Sequence, residues 1–221
     1  MKTIIVIPAH NEAKTINSLV KVIIELGYGI IVVDDGSVDD TAILAKTQGA
    51  LVISTHKKSG KGNALRLAFT QAIGLGYDAV ITLDGDGQHS PSDIGNFLEG
   101  YQKGHADIIN GDRMHNPSGM PWLRRSTNWF MSWLISLICR QRITDTQCGF
   151  RLITTKVLSS IELKCNDFEI ETEILIKASR RGFRIASVPI QTIYRDEVSK
   201  IKPVRDTLRF IRYISTAIFR S

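Results

Sequence analysis

Short runs of aliphatic residues alternate with longer segments of helical spacing throughout the first half of this chain. We predict strands at 3–7, 30–33, 50–54, 79–83 and 107–110, and helices between them at 13–26, 40–48, 62–75 and 91–103. A strand that returns parallel to its predecessor needs a crossover of about this length. The runs IIVI and IIVV are apolar on both faces, as expected of strands covered by helices on each side. The pattern predicts an α/β fold with a doubly wound, mostly parallel sheet and helices on both faces.

Composition and cysteine spacing exclude several other classes of protein. Charged residues make up 23% and hydrophobic residues 43% of the chain, which is ordinary for a globular domain and excludes a disordered, collagenous or coiled-coil protein. The cysteines Cys139, Cys148 and Cys165 form no Cys-x-x-Cys or Cys/His array, which argues against a disulfide scaffold and a structural zinc site. The apolar run at the N-terminus is too short for a secretory signal, so a cytoplasmic location is expected.

The positive charge belongs to the second half of the chain. Residues 1–110 contain 9 Lys and Arg against 12 Asp and Glu, whereas residues 111–221 contain 19 against 10. This asymmetry indicates an anionic partner, either nucleic acid, an acidic small molecule or a phospholipid surface, and a solvated basic face is the alternative. Aromatic residues fall on an apolar helix and not on a sheet where bases would stack, which disfavours nucleic acid.

Two further helices are predicted in the second half. Trp122–Cys139 is strongly apolar, and its uncharged part, 126–139, is too short to cross a bilayer. This helix is therefore expected either to be buried or to lie in a membrane interface. The segment 202–221 has the pattern of a basic amphipathic helix, which either packs on the domain or binds a membrane or a partner.

Polar turns follow three of the predicted strands. Residues 8–12 read PAHNE, residues 34–37 read DDGS and residues 84–89 read DGDGQH. The carboxyl ends of parallel strands meet at one edge of the sheet, where ligands bind in this class of fold. A turn requires a glycine or an asparagine but not repeated carboxylate pairs, so a functional site is expected at this edge.

Asp84 and Asp86 are the most specific feature of that edge. Two carboxylates two residues apart, with glycines that let the backbone approach, suit a hard divalent cation whose remaining ligands come from water and a diphosphate. Gln88 would complete this set, and His89 would be a neighbour because Mg²⁺ and Mn²⁺ prefer oxygen ligands. For an isolated Asp-x-Asp, a simple turn is the alternative.

The segment 57–63, KKSGKGN, opens the helix after the third strand. Glycines and lysines at a helix N-terminus can bind phosphate through backbone N–H groups and the helix dipole, and an exposed basic turn is the alternative. The Walker A spacing is absent, and no G-x-G-x-x-G follows the first strand. The first absence disfavours an NTPase, and the second disfavours a dinucleotide-dependent oxidoreductase.

Seven motifs follow one another between Lys2 and Arg195: IPAHNE, VVDDGS, GKGNAL, LDGDGQH, GDR, DTQCGFR and FEIETEIL. Together they resemble the inverting family 2 glycosyltransferases with the GT-A fold, in particular the dolichol-phosphate mannose synthase-like branch. The resemblance implies a GT-A catalytic domain over 1–200, followed by the basic amphipathic helix at 201–221. It also implies a nucleotide-diphosphate sugar as donor and a divalent cation, Mg²⁺ or Mn²⁺.

The resemblance assigns roles by position. The donor-binding residues that it implies are Pro8, Ala9, Asn11, Glu12, Asp34, Asp35, Lys61, Asp84 and Gly85. The implied metal ligands are Asp84, Asp86 and Gln88, and the implied catalytic residues are Asp86 and Arg113, the latter reaching a phosphate of the donor or acceptor. The acceptor phosphate would be bound by Arg124, Asn128 and Arg195. Asn128 stands where this branch is expected to have a hydroxyl residue.

The predicted function is transfer of a sugar from a GDP- or UDP-sugar to a polyprenyl phosphate, such as dolichyl or undecaprenyl phosphate, by a peripheral enzyme at the cytoplasmic face of a membrane. One alternative is a soluble transferase with a hydroxyl acceptor, for which Asp145 is the candidate catalytic base unless it only caps the next turn. Another is a nucleotide-sugar-binding protein without turnover. Glu169 and Glu171, at a predicted helix start, are expected to be structural or near the donor sugar.

Overall fold

The computed structural model describes residues 1–117, 119–193, 210, 213 and 214. Within these residues the chain forms one seven-stranded sheet and seven α-helices. The strands are β1 (Thr3–Ala9), β2 (Gly29–Asp34), β3 (Leu51–Ser54), β4 (Ala79–Thr82), β5 (Ile108–Asp112), β6 (Arg151–Thr154) and β7 (Ile185–Pro189). The helices are α1 (Ala13–Glu25), α2 (Thr41–Thr47), α3 (Lys61–Gly74), α4 (Ile94–Gly104), α5 (Trp122–Cys139), α6 (Thr155–Ser160) and α7 (Glu169–Arg180). All strands and helices predicted in the first half are present, and only their ends differ.

The strand order is β3-β2-β1-β4-β6-β5-β7. The first four strands pair in parallel, as do β5 and β7, whereas β6 is antiparallel to both of its neighbours. The expected mostly parallel sheet is confirmed, and the reversed strand is a feature that the alternation did not predict. Arg151, the first residue of β6, lies opposite Thr82 at the end of β4. The residues that precede β6 therefore join the edge at which β4 ends.

Helices cover both faces of the sheet, as predicted. Val6 of β1 belongs to a core that includes residues of α3, α5, α6 and α7. Its neighbours Ile5 and Ile7 belong to the opposite core, with residues of α1, α2 and α4, because successive strand residues point to opposite faces. All three are fully buried, and each such side chain contributes about 1.5–3 kcal/mol of hydrophobic free energy. The sheet and the turns at its edge are thus held from both sides.

The helix α5 buries two polar residues and exposes most of its large apolar ones. Its buried residues are Asn128, Ser132, Ile135 and Cys139. Its exposed face carries large apolar side chains, namely Trp122, Leu123, Trp129, Phe130, Trp133 and Leu137. Of the two alternatives for this helix, a buried helix does not fit this exposed face, and a position in a membrane interface stays a prediction. Among the described residues, no helix has both the length and the apolar character needed to span a bilayer.

Three residues of the predicted C-terminal helix are described. Phe210 and Ile214 are buried and belong to the same core as Ile135 of α5 and Ile174 of α7. These residues pack on the domain, in agreement with one of the two interpretations of this segment. The rest of the segment lies outside the described residues, and the division of the chain at residue 200 stays a prediction.

Candidate active site

The polar turns after β1, β2 and β4 lie at one edge of the sheet. Pro8 and Ala9 end β1, and Ala9 lies opposite Asp34 at the end of β2. Thr15 Oγ1 donates a hydrogen bond of 2.6 Å to the backbone oxygen of Gly85, which ties the start of α1 to the turn after β4. The three turns therefore form one continuous surface.

Asn11 and Glu12 connect the turn after β1 to the turn after β2. The φ angle of Asn11 is 55°, in the left-handed region that asparagine tolerates better than most residues. Asn11 N donates to Ser37 Oγ at 2.9 Å, and Asn11 Oδ1 accepts from Val38 N at 2.9 Å. Glu12 N donates to Thr41 Oγ1 at 2.8 Å. These bonds fix the two turns to each other.

Asp35 holds the segment that precedes α3. Its Oδ1 accepts from Ser59 N at 2.7 Å and from Ser59 Oγ at 2.6 Å, and its Oδ2 accepts from Gly60 N at 2.8 Å. Burial alone would raise the pKa of Asp35, but the hydrogen bonds from Ser59 and Gly60 hold it below its usual value. The adjacent Asp34 is also buried and accepts from Ser37 N at 3.1 Å.

Several backbone N–H groups of the segment 57–63, which could have bound a phosphate, are bonded within the protein. Four N–H groups of this segment donate to protein acceptors, those of Ser59 and Gly60 to Asp35 and those of Gly62 and Asn63 to the backbone oxygen of Asn166. N–H groups that are already bonded within the protein are not available to bind a phosphate. Lys61 is the residue of this segment whose side chain reaches the predicted site.

Lys61 connects the turn after β4 to the first turn of α7. Its Nζ donates to Asp84 Oδ1 at 2.5 Å and to Glu171 Oε1 at 2.8 Å. Gly149 lies against all three side chains, since a Cβ there would approach Asp84 Oδ2 to 2.6 Å and Glu171 Oε1 to 2.8 Å. Burial alone would raise the pKa of Asp84, but the Lys61 ammonium holds it below its usual value. Asp84 is therefore ionised at neutral pH.

Asp84 and Asp86 present carboxylate oxygens at the tip of β4. The Asp84 side chain is 27% exposed, so part of it is open to a ligand. Asp86 Oδ1 accepts from Gln88 N at 3.0 Å, which tightens the turn. Oxygen donors fit Mg²⁺ or Mn²⁺, and two carboxylates leave positions for a diphosphate and water. The described part of the chain contains no cluster of three or more His, Cys, Asp or Glu that would enclose a metal. This donor set fits an ion shared with a ligand.

His89 is buried behind the same turn. Its Nε2 lies 4.0 Å from Asp84 Oδ2, and its ring centroid lies 5.4 Å from that of Phe150. Burial lowers the pKa of His89 to about 4, so the ring is neutral at pH 7. The chain that follows β7 returns to this turn, because Ile193 N donates to the backbone oxygen of Gln88 at 2.9 Å.

Arg113 and Asp145 form a buried bidentate ion pair. Arg113 Nε donates to Asp145 Oδ2 at 2.7 Å, and Nη2 donates to Oδ1 at 3.0 Å. Burial alone would raise the pKa of Asp145, but the bonds from Arg113 lower it. Gln147 N also donates to Oδ1, at 3.2 Å, so Asp145 does cap the next turn. A fully buried carboxylate bonded through both oxygens is in a poor position to accept a proton from a substrate.

Two of the three predicted acceptor residues lie one turn apart on α5. Arg124 is exposed, whereas Asn128 faces inward, and its Nδ2 is buried without a hydrogen-bond partner among the described residues. One turn further on, Ser132 Oγ accepts from Thr146 N at 3.0 Å, which ties α5 to the loop before β6. Arg195, the third residue, lies outside the described residues.

Two residues that shape this edge were not predicted. Asn166 accepts the N–H groups at the start of α3, and nothing in the surrounding sequence indicates that contact. Arg151 is fully buried and donates to three backbone carbonyls. Two sequence signals point to Arg151: it ends the motif DTQCGFR, and it is a charged residue at the start of the apolar run RLIT. Glu171, expected to be structural or near the donor sugar, contacts Lys61 directly.

Residues 4–161 match the sequence model of the family described as Glycosyl transferase family 2. An uncharacterised protein of Methanocaldococcus jannaschii is 34% identical over 203 residues, which cover 87% of this chain and 82% of that protein. The UDP-N-acetylglucosamine–dolichyl-phosphate N-acetylglucosaminyltransferase of Methanococcus voltae is 30% identical over 215 residues, which cover 87% of this chain and 86% of that enzyme.

The fold is also found in solved structures. Glucosyl-3-phosphoglycerate synthase of Mycobacterium tuberculosis, in complex with phosphoglyceric acid, superposes with a TM-score of 0.76 at 23% identity, covering 99% of this chain and 79% of that one. The same enzyme with Mn²⁺, UDP and glucosyl-3-phosphoglycerate gives a TM-score of 0.74 at 21% identity and the same coverage. These likenesses confirm the expected GT-A fold.

Proposed function

This chain belongs to glycosyltransferase family 2, and we propose that it transfers one sugar, with inversion, from a GDP- or UDP-sugar to a polyprenyl phosphate such as dolichyl or undecaprenyl phosphate. The observation that carries the proposal is the pairing at one sheet edge of a carboxylate pair, Asp84 and Asp86, with a buried cation, Arg113. The carboxylate pair can bind the diphosphate of the donor through a divalent ion, and Arg113 can bind a phosphate group. The relative from Methanococcus voltae, named for transfer to dolichyl phosphate, supports this acceptor class.

The nucleoside end of the donor is proposed to lie along the turns after β1 and β2. Pro8, Ala9, Asn11, Glu12 and Asp34 form this surface, and Gly85 lies beside it. Asp35 would act indirectly, because both of its oxygens are occupied by the segment before α3. Lys61 would act indirectly, because its ammonium group forms an ion pair with the Asp84 carboxylate. It would lie near the donor diphosphate because Asp84 does.

Asp84, Asp86 and Gln88 are the residues proposed to hold Mg²⁺ or Mn²⁺. When bound there, the ion neutralises the charge that develops on the departing nucleoside diphosphate. The complex of the Mycobacterium tuberculosis enzyme with Mn²⁺ and UDP supports this choice of cofactor. The contribution of this chain is that Lys61 keeps the Asp84 carboxylate ionised and holds one of its oxygens in place.

The acceptor phosphate is proposed to bind near Arg113, Arg124, Asn128 and Arg195. Arg113 is oriented by Asp145, and its Nη1 makes no hydrogen bond to a described residue, so this nitrogen is available to an anion. The buried Nδ2 of Asn128 makes no hydrogen bond to a described residue, so a phosphate oxygen could serve as its acceptor. A phosphate oxygen then displaces the nucleoside diphosphate at the sugar carbon. It is ionised at pH 7 and requires no catalytic base, which agrees with the locked position of Asp145.

The exposed face of α5 is proposed to rest on the cytoplasmic surface of a membrane. The middle of that face carries large apolar side chains and no charged residue. Exposed arginines lie near the two ends of the helix, namely Arg124, Arg125, Arg140 and Arg142. Aromatic residues favour the headgroup region, and arginines favour anionic lipids. The phosphate of a polyprenyl phosphate embedded in that surface would then lie near Arg124 and Asn128 of α5.

The test is a transfer screen with UDP- and GDP-sugars and Mn²⁺, with and without dolichyl or undecaprenyl phosphate. Sugar should enter the lipid product only when the lipid phosphate is present. Asp86→Ala should abolish transfer while the chain stays folded, and Glu99→Gln, an equal charge change at an exposed position of α4, should leave the rate unchanged. Near-normal turnover in Asp86→Ala contradicts the metal role.

The same screen decides between the alternatives. Transfer to a sugar or glycan hydroxyl without any lipid phosphate identifies a hydroxyl acceptor, which requires a catalytic base. Binding of UDP or GDP without transfer to any acceptor identifies a binding protein.

A further inference from the structure

Arg151 is a buried cation whose hydrogen bonds to the described residues all go to backbone oxygens. It is 1% exposed and begins β6. Its Nε donates to the backbone oxygen of Cys148 at 2.7 Å, Nη2 to that of Thr146 at 2.7 Å, and Nη1 to that of Glu171 at 2.6 Å. Within the described part of the chain it makes no salt bridge. Burial lowers the pKa of this guanidinium.

A buried charge without a carboxylate partner is a costly way to fill a core position. An aliphatic side chain would fill the same position without that cost. Unlike an aliphatic side chain, a guanidinium can donate hydrogen bonds to several acceptors in one plane and so fix their relative positions. The three acceptors here belong to two segments, the loop 145–149 and the first turn of α7. Arg151 therefore fixes these two segments to each other.

Both segments carry side chains of the proposed active site. The loop carries Asp145, which orients Arg113, and it ends at Gly149, which lies against Asp84. The first turn of α7 carries Glu171, whose carboxylate holds Lys61.

We propose that Arg151 is a positioning residue for sugar transfer. It sets the distance between the guanidinium of Arg113 on one side and the Lys61–Asp84 pair on the other, and so aligns the acceptor phosphate with the leaving diphosphate. This inference rests on the active site proposed above. Arg151 touches no reacting atom and acts only through the two segments that it joins.

The test uses R151K and R151Q. Lysine keeps the charge but cannot reach three carbonyls in one plane, and glutamine removes the charge while keeping two N–H donors. With the donor and lipid phosphate found by the screen, we expect kcat to fall about 100-fold in both variants, because a misplacement of about 1 Å has that effect, while KM for the donor changes little.

The control is Ile23→Ala, at the far end of α1. Ile23 is fully buried and lies at the edge where the strands begin, so its loss lowers stability without reaching the site. At a temperature where every variant is folded, this control should keep the wild-type kcat. An equal fall of kcat in the control and in R151K would show that Arg151 matters for stability only, and would overturn the inference.

A double variant tests the route of the effect. If Arg151 acts partly through Lys61, R151K should lower kcat less in the K61M background than in the wild type. Fully additive losses would overturn this route.

Crystal structures of R151K and R151Q give a readout that does not depend on activity. The loop 145–149 and the first turn of α7 should separate, with loss of the contact between Lys61 and Glu171 or between Arg113 and Asp145. Unchanged positions in both structures would overturn the inference, even if the screen finds no donor. A failed screen with displaced segments would instead count against the proposed function alone.

Discussion

The Asp35 carboxylate accepts three hydrogen bonds from Ser59 and Gly60, and these bonds fix the start of α3. In Asp35→Asn one acceptor becomes an NH₂ group, so at least one bond is lost. We expect the free energy of unfolding at pH 7 to fall by about 2 kcal/mol, since hydrogen bonds to a charged group are worth about 1.5–3 kcal/mol. Urea unfolding followed by circular dichroism measures the difference. Asp40→Asn, at a side chain that makes no capping hydrogen bond, should change stability by less than about 0.5 kcal/mol.

The same variant has a defined pH dependence. The pKa of Asp35 in the folded chain lies below the value of 3.8 for an unperturbed group. Its stabilising effect is therefore fully present above pH 3.8 and is lost as the pH falls through the folded pKa. The difference between wild type and Asp35→Asn should be constant from pH 7 to about pH 5 and shrink below pH 4. A difference that grows on acidification contradicts this assignment.

At the scale of elements, α3 begins against the segment 165–167, and Gly62 makes that approach feasible. A Cβ at Gly62 would clash with the backbone oxygen of Cys165 and approach the carbonyl carbon of Asn166 to 2.7 Å. Because backbone cannot move aside as a side chain does, Gly62→Ala should cost about 2 kcal/mol of stability. Gly74→Ala in the same helix meets nothing within 4 Å and should be neutral or slightly stabilising. Equal effects of the two variants would contradict the contact.

The exposed face of α5 gives a second prediction at this scale. Trp133 is 53% and Leu137 64% exposed, so replacing both with serine should leave the fold intact. Flotation with vesicles of phosphatidylcholine and phosphatidylglycerol should show binding weakened at least about tenfold, since each large side chain contributes more than 1.4 kcal/mol when buried. Ile43→Ser, an exposed residue of α2 on the other side of the sheet, should bind like wild type. Wild-type protein that fails to float would exclude a membrane surface for α5.

The elements of the first half could be predicted because their strands are buried on both faces. A strand such as β1 then reads as an unbroken aliphatic run, and its end is visible as the point where polar residues begin. The direction of β6 could not be predicted, because a short run such as RLIT has the same pattern in either orientation. The exposed side of α5 was also hidden, since apolar residues occur all around that helix.

The candidate site was predictable as far as it depends on position along a strand. Asp34 and Asp84 were placed by the rule that ligands bind where parallel strands end. The bonds of Asp35 to Ser59, of Lys61 to Glu171 and of Arg113 to Asp145 join residues far apart in sequence, and no local pattern indicates them. The bond of Asp35 to Ser59 occupies an N–H group of the segment 57–63, and the bond of Arg113 to Asp145 makes Asp145 unsuited to act as a base.

At the scale of the whole molecule, the proposed donor would contact turns from β1, β2 and β4 together. Ligand binding to the folded state alone raises stability, by about 2.7 kcal/mol at 100 times Kd. For a chain of this size we therefore expect UDP or GDP with Mn²⁺ to raise Tm by about 5–10 °C. Thermal unfolding with each component alone and with both together measures the effect.

The variant Asp86→Ala should lose the part of that shift that requires Mn²⁺, whereas Glu99→Gln should keep it. An Asp86→Ala protein that is stabilised by Mn²⁺ and nucleotide as strongly as wild type would show that the ion binds elsewhere.

The three tryptophans of this chain, Trp122, Trp129 and Trp133, all lie on α5, and their exposed fractions are 78%, 64% and 53%. Tryptophan fluorescence therefore originates from a single helix whose tryptophans are exposed to water. The emission of these tryptophans will shift to shorter wavelength when a membrane or another apolar surface covers α5. The contact can therefore be followed without a label. For the same reason, fluorescence will register little of the unfolding of the sheet, even when the rest of the molecule has come apart.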